Sequence, residues 1–156
     1  MGGWNGTVEH LHIAPRSFLP MREMERIALV AGRGITGDRY STGDGFYSDR
    51  PEEGRQVTLF EAETLEALLR DHRITLAPAE HRRNITVRGV PLNHLVGRRF
   101  RVGPVLLEGT RLSTPCRHIE QITGQEIFTV LLHRSGLHAR ILEGGEVTPG
   151  AAVTPE

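Results

Sequence analysis

A β-rich barrel with short helices packed on its outside is the fold class this sequence predicts. Three observations predict it. Short apolar runs set among polar residues recur along the chain. The 18 glycines and nine prolines in 156 residues punctuate them with turns. Only two modest stretches carry helical spacing.

The first strand reads at 7–13, with Val8, Leu11 and Ile13 set among polar residues and Pro15 stopping it. A second reads at 26–31, where Ile27, Leu29 and Ala31 alternate. Residues 32–51 hold many glycines and little apolar material, so they predict a long loop. A third strand spans 56–60. The clearest helix comes next at 61–70, with Leu65, Leu68 and Leu69 on one face. Residues 72–83 are irregular, and 85–87 form a short strand before Gly89. Residues 91–96 predict one helical turn ending at Gly97. The strands 99–102 and 105–112 flank Gly103-Pro104 as a hairpin. Thr123-Gly124-Gln125-Glu126 has capping-box spacing, and Ile127, Val130 and Leu131 continue from it as a second helix. Strands at 139–142 and 146–153 complete the expectation.

Composition narrows the function classes. Net charge is zero, with 38% hydrophobic and 24% charged residues, as in a soluble domain. One domain over 1–156 is expected, with no general nucleic-acid or anionic-membrane surface. No signal peptide and no membrane-length apolar run is visible, so a cytoplasmic protein is expected. All 19 basic residues are Arg, which excludes Schiff-base catalysis, covalent pyridoxal phosphate and a Walker-type phosphate loop. A lone cysteine, Cys116, excludes an internal disulfide and Cys-rich metal clusters.

Four motifs invite chemistry. Gly32-Arg33-Gly34-Ile35-Thr36-Gly37 matches a dinucleotide fingerprint, but no helical period comes after it, so it reads as a glycine-rich turn. Asp38 and Arg39 then sit at its lip, where amides and a guanidinium can face an anion. In Ser113-Thr114-Pro115-Cys116-Arg117-His118, Thr114 fits an N-cap and Pro115 the first helical position. That places Cys116 near a helix N-terminus beside Arg117 and His118, which favours thiolate; a buried cysteine acting as a small hydrophobe is the other reading. Arg82-Arg83-Asn84 offers rigid forks for phosphate or carboxylate, or a solvated loop. His10 and His12 share a strand face, but the sequence signals no third ligand near them.

The order of these elements resembles the MOSC domain, named for the C-terminal domain of molybdenum-cofactor sulfurases. The signposts are Gly37-Asp38-Arg39, Arg55 through Glu61 (RQVTLFE), Arg82-Arg83-Asn84-Ile85-Thr86-Val87, Leu95 through Phe100 (LVGRRF) and Thr114-Pro115-Cys116. His133 through Leu137 and Gly144-Gly145 add to them. Any one is weak; five in this order over nearly the whole chain are specific. The resemblance, to the small stand-alone bacterial type, implies a closed β-barrel like that first described in pyruvate kinase. It implies that Cys116 is the family cysteine, which either ligates molybdenum in the molybdopterin cofactor or carries sulfane sulfur as a persulfide. Arg82 and Asn84 fall where relatives hold the pterin and its phosphate. Asp38, Arg39, Arg55, Thr58, Arg117 and His118 are the further candidates for binding that cofactor.

The implied activity is reduction of N-hydroxylated substrates with electrons from a separate redox protein. Sulfur carriage, fed by a cysteine desulfurase, is the alternative. A non-enzymatic anion-binding module is the third. Relatives often carry another cysteine just before the Pro-Cys pair, where this chain has Ser113 and Thr114.

Overall fold

The computed structural model describes residues 3–16, 19–39, 56–115 and 117–156. Its strands are β1 (Gly6–Ile13), β2 (Arg22–Glu23), β3 (Ile27–Val30), β4 (Gly34–Ile35), β5 (Val57–Glu61), β6 (Ile85–Arg88), β7 (Arg99–Val102), β8 (Val105–Leu112), β9 (Leu137–Glu143), β10 (Gly145–Val147) and β11 (Ala152–Pro155). Helices span Ala62–His72 and Arg117–Thr123, with 3-10 turns at Pro78–His81, Leu92–His94 and Thr129–Leu131.

Seven of the strands form a closed ring. The order β11-β7-β8-β9-β5-β6-β1 returns to β11 because β1 also pairs with it, Gly6 opposite Val153. Every ring pairing is antiparallel except β5 with β6, which the Ala62–His72 helix connects as a parallel pair. β2 hangs on the end of β1, and β10-β3-β4 form a small separate sheet. The expected barrel is therefore the observed one.

Side-chain alternation assigns the two faces of the wall. Val57 and Leu59 of β5, Ile85 and Val87 of β6, and Leu11 and Ile13 of β1 belong to the barrel core. Thr58, Phe60, Asn84 and Thr86 fall between them and are also buried. A second apolar cluster buries that outer side: Phe60 packs with Leu68, Leu76, Ile119, Ile127 and Leu131. The helices thus cover one sector of the wall, and polar residues of that sector are enclosed with them.

Two glycines let strands approach where a side chain would collide. A Cβ on Gly109 would lie 2.1 Å from the Leu95 carbonyl oxygen, and one on Gly136 2.1 Å from that of Leu59. Gly136 also has φ +100°, a left-handed conformation that favours glycine.

Four expectations are corrected. The second helix is Arg117–Thr123, upstream of the apolar run at 127–131, which forms only a 3-10 turn. Thr123 does not N-cap that run; its hydroxyl donates back to the Ile119 carbonyl at 2.6 Å. The Glu120 carboxylate instead accepts the Ile127 and Phe128 amides at 3.0 and 3.1 Å. The single strand expected at 146–153 is two, β10 and β11, separated by a turn. Pro115, expected at the first helical position, is not helical, and helix is described from Arg117 onward. Of the long loop expected at 32–51, Gly34–Ile35 is a strand, and residues 40–51 lie outside the described residues.

Candidate functional site

The turn Pro78–His81 ends in a left-handed residue, Arg82, with φ +69°. That reversal feeds Arg83 and Asn84 into the start of β6, beneath the helices. Arg82, Arg83 and Asn84 are all buried.

Asn84 is the node of this region. Its Oδ1 accepts from the Thr58 amide at 3.1 Å and from the Thr58 hydroxyl at 3.0 Å. The Asn84 amide donates to Thr58 Oγ1 at 3.1 Å, so the two residues clasp each other across the parallel seam. Asn84 Nδ2 donates to the His12 carbonyl at 3.1 Å, and the His12 amide donates to the Asn84 carbonyl at 2.7 Å. One side chain therefore joins β5, β6 and β1.

Arg83 reaches the other way. Its Nε donates to the Ser135 carbonyl at 2.9 Å, and Nη2 to the Thr114 carbonyl at 2.9 Å and Ser135 Oγ at 3.1 Å. The Ser113 amide also donates to the Gly136 carbonyl at 2.8 Å. The segment leading to Cys116 is thus fastened to the start of β6. Charge-assisted bonds from a buried guanidinium are among the stronger ones available.

Asp38 and Arg39 close the same end. Asp38 Oδ1 accepts the Ala14 amide at 3.1 Å and pairs with Arg39 Nη1 at 3.2 Å. Arg39 Nη2 donates to the Arg82 carbonyl at 3.0 Å, and its amide to the Ala14 carbonyl at 2.7 Å. Arg82 in turn donates through Nη1 to the Leu19 carbonyl.

The candidates from sequence accordingly divide. Asp38, Arg39, Thr58, Arg82 and Asn84 come together through shared partners, along with the 113–115 segment. Arg117 does not join them: it is 71% exposed, pairs with Glu120 at 3.4 Å and lies over the Phe128 ring. His118 Nδ1 meets Gln121 Oε1 at 3.3 Å on the same helix. Cys116 and Arg55 lie outside the described residues. The glycine motif makes a hairpin instead of a dinucleotide loop, with Val30 opposite Gly34.

Sequence reasoning missed two residues here. Arg83 stood inside a quoted motif, yet its two-segment clamp depends on residues far along the chain. His81 carried no signal at all. It is fully buried and stacks on Phe60 with ring centroids 4.2 Å apart. The Arg83 amide donates to His81 Nδ1 at 3.0 Å, so the proton resides on Nε2, which donates to Thr86 Oγ1 at 2.7 Å. Burial holds its pKa well below the ordinary 6.5, and His12, Arg83 and His10 push the same way. A polar hollow of about 320 Å³ lies elsewhere, walled by Glu61, Glu63, His94 and Arg134, and none of the expected cofactor residues line it.

Among the described residues no helix is long and apolar enough to cross a membrane. The model of the family described as the MOSC domain matches residues 37–154. No curated protein matches the chain. The fold is similar to the crystal structure of the YuaD protein from Bacillus subtilis, with TM-score 0.76, 20% identity and 97% of each chain covered. It is also similar to YiiM from Geobacillus stearothermophilus, with TM-score 0.74, 12% identity, and 97% of this chain and 75% of that one covered. YiiM from Escherichia coli gives TM-score 0.69 and 15% identity over 97% of this chain and 69% of that one. With the family match spanning most of the sequence and the barrel matching these structures, the chain belongs to the MOSC domain family.

Proposed function

We propose that this protein binds an anionic molybdenum–pterin cofactor, with Cys116 as the metal's thiolate ligand. One observation carries the reading: Arg83 bonds the Thr114 carbonyl, so the segment leading to Cys116 and the Arg82–Asn84 run belong to one site. The residues present fit such a group in kind. Arg82 and Arg39 are cations beside the β6 start, where an anionic phosphate is held most strongly by guanidinium. A soft thiolate is the protein ligand that molybdenum favours. Thr58 and Asn84 shape the wall behind them, since their side chains already bind each other.

When bound, the metal centre supplies two-electron redox chemistry. The reaction class is reduction of an N-hydroxylated nitrogen: N–OH takes two electrons and two protons, giving N–H and water. An external redox protein supplies the electrons. The chain's own part is to hold the phosphate through Arg82 and Arg39 and to supply Cys116 from the segment whose Thr114 carbonyl Arg83 holds. The test is molybdenum analysis and intact mass on gently purified protein. Near-stoichiometric molybdenum that is lost in Cys116→Ala supports the reading. Apo protein that cannot be loaded with cofactor sinks it.

A second reading has its own observation. The Asn84 Oδ1, the Thr58 hydroxyl and Asp38 are taken up by protein partners, which sulfur carriage tolerates and phosphate binding does not use. In that case Cys116 thiolate attacks the outer sulfur of a desulfurase persulfide, forming the Cys116 persulfide and releasing the desulfurase thiolate. Incubation with a desulfurase and free cysteine then adds one sulfur to the wild-type mass and none to Cys116→Ala.

A further inference from the structure

The polar hollow at the end of β5 is lined by charged groups that the protein leaves largely unanswered. Three segments wall it: Glu61 and Glu63 where β5 passes into the Ala62–His72 helix, Asn93 and His94 at the Leu92–His94 turn, and His133 and Arg134 before β9. Asn93 Nδ2 donates to the His133 carbonyl at 2.7 Å, which ties two of the walls together. Glu63 Oε2 accepts the Gly89 amide at 2.8 Å, which fixes that carboxylate in the third. The hollow is therefore formed by the protein's own contacts. Its carboxylate wall is short of positive charge. Glu63 Oε1 is enclosed with no hydrogen-bond partner. Burial and the neighbouring Glu63 raise the Glu61 pKa above its ordinary 4.5, and the Leu92 amide, Arg134 and His94 act the other way without offsetting them. Arg134, across the hollow in sequence and on another wall, is exposed and makes no hydrogen bond or ion pair among the described residues. Water filling the hollow satisfies hydrogen bonds but supplies neither wall with a counter-charge.

We propose that this hollow binds a small zwitterion of the amino-acid kind. Its ammonium group pairs with Glu61 in the field of Glu63, and its carboxylate pairs with Arg134. Size and lining both point to such an occupant. Pockets for small molecules start at about 300 Å³ and are mostly apolar with a few polar groups. This one, at about 320 Å³, stands at the small end of that range and is walled by charge. A ligand with one charge meets one wall and leaves the other as it was. A ligand with both charges answers each, and a guanidinium presents a planar fork that a carboxylate matches with two parallel hydrogen bonds. None of Asp38, Arg39, Thr58, Arg82 and Asn84 lines the hollow, so the inference does not rest on the cofactor reading.

The test is calorimetry of the full-length chain with glycine, β-alanine and γ-aminobutyrate, three zwitterions of increasing charge separation. Propylamine and butyrate are the one-ended controls. At least one zwitterion should bind once per chain, with propylamine and butyrate weaker by at least about tenfold. Arg134→Ala should weaken that zwitterion to the level of propylamine while leaving propylamine bound no more weakly, so the retained amine binding shows that the variant is folded. Glu61→Gln keeps an oxygen to accept the Leu92 amide and should weaken zwitterion and propylamine alike by about tenfold. The zwitterion should raise the melting temperature of the parent chain and not of Glu61→Gln. Cys116→Ser should bind it as the parent does, which keeps this result separate from the cofactor test. The proposal is overturned if none of the three zwitterions binds at millimolar concentration. Propylamine binding as tightly as the best zwitterion overturns it too, as does zwitterion binding that Glu61→Gln or Arg134→Ala leaves unchanged.

Discussion

Around Asn84 the outer wall of the barrel satisfies its own polar groups; around His12, directly alongside on β1, it does not. Asn84 Oδ1 accepts two hydrogen bonds and Nδ2 donates a third, and all three partners belong to neighbouring strands. His12 is equally buried, yet only its backbone is engaged. Both residues sit at the same seam and are covered from outside. The difference separates two uses of a buried polar residue. One ties strands together and loses its value for anything else. The other leaves its Nδ1 buried without a partner and its Nε2 4.0 Å from the Glu23 carboxylate, beyond hydrogen-bond range.

The contrast predicts a graded series of stability effects. Asn84→Ala should be the most damaging, because it orphans the Thr58 amide, the Thr58 hydroxyl and the His12 carbonyl together. A loss of about 3 kcal/mol is expected in urea unfolding. Arg83→Ala comes next at about 2–3 kcal/mol, since a buried guanidinium with three acceptors is removed while Thr114 and Ser135 can recruit water. Thr58→Val removes one hydroxyl from the clasp and should cost about 1–2 kcal/mol. His12→Leu should cost less than about 1 kcal/mol, because no side-chain hydrogen bond is lost. Equal losses for His12→Leu and Asn84→Ala would erase the distinction.

Acid sharpens it further. The folded-state pKa values of His81 and His12 are both lowered, chiefly by burial. Below the ordinary value of 6.5 the unfolded chain therefore binds more protons than the folded one, and stability falls as pH falls. The melting temperature should be flat above neutrality and decline from about pH 6.5 downward. The decline should be shallower in His12→Leu, which lacks one of the two groups. A melting temperature that rises on acidification would contradict the burial of both rings.

Much of the barrel was legible because strands announce themselves locally. Alternation marked β1 and β3, and Gly103-Pro104 marked the β7–β8 hairpin. The second helix was misplaced for a physical reason. Capping-box spacing at Thr123 and Glu126 is a local signal, and a more distant carboxylate, Glu120, took the amides it was meant to explain. The residues of the site were readable as types but not as roles. Asn84 looked like a ligand-binding amide because its three strand contacts join residues 26 and 72 positions away. Glu23 gave no hint of meeting His10 and His12, since β2 is two residues long and shows no strand pattern.

The pairing of β1 with β11 has a consequence for how the molecule is made. Thr7 lies opposite Ala152, so β1 waits for β11, far later in the chain, before that edge is covered. Until then the growing chain exposes two open sheet edges, on β1 and on β7, whose amides and carbonyls can pair with any other strand nearby. Contacts this distant in sequence slow folding and lengthen the aggregation-prone interval. Removing 152–155 should therefore harm yield and solubility out of proportion to the few side chains lost, because it turns a closed ring back into a sheet with sticky borders.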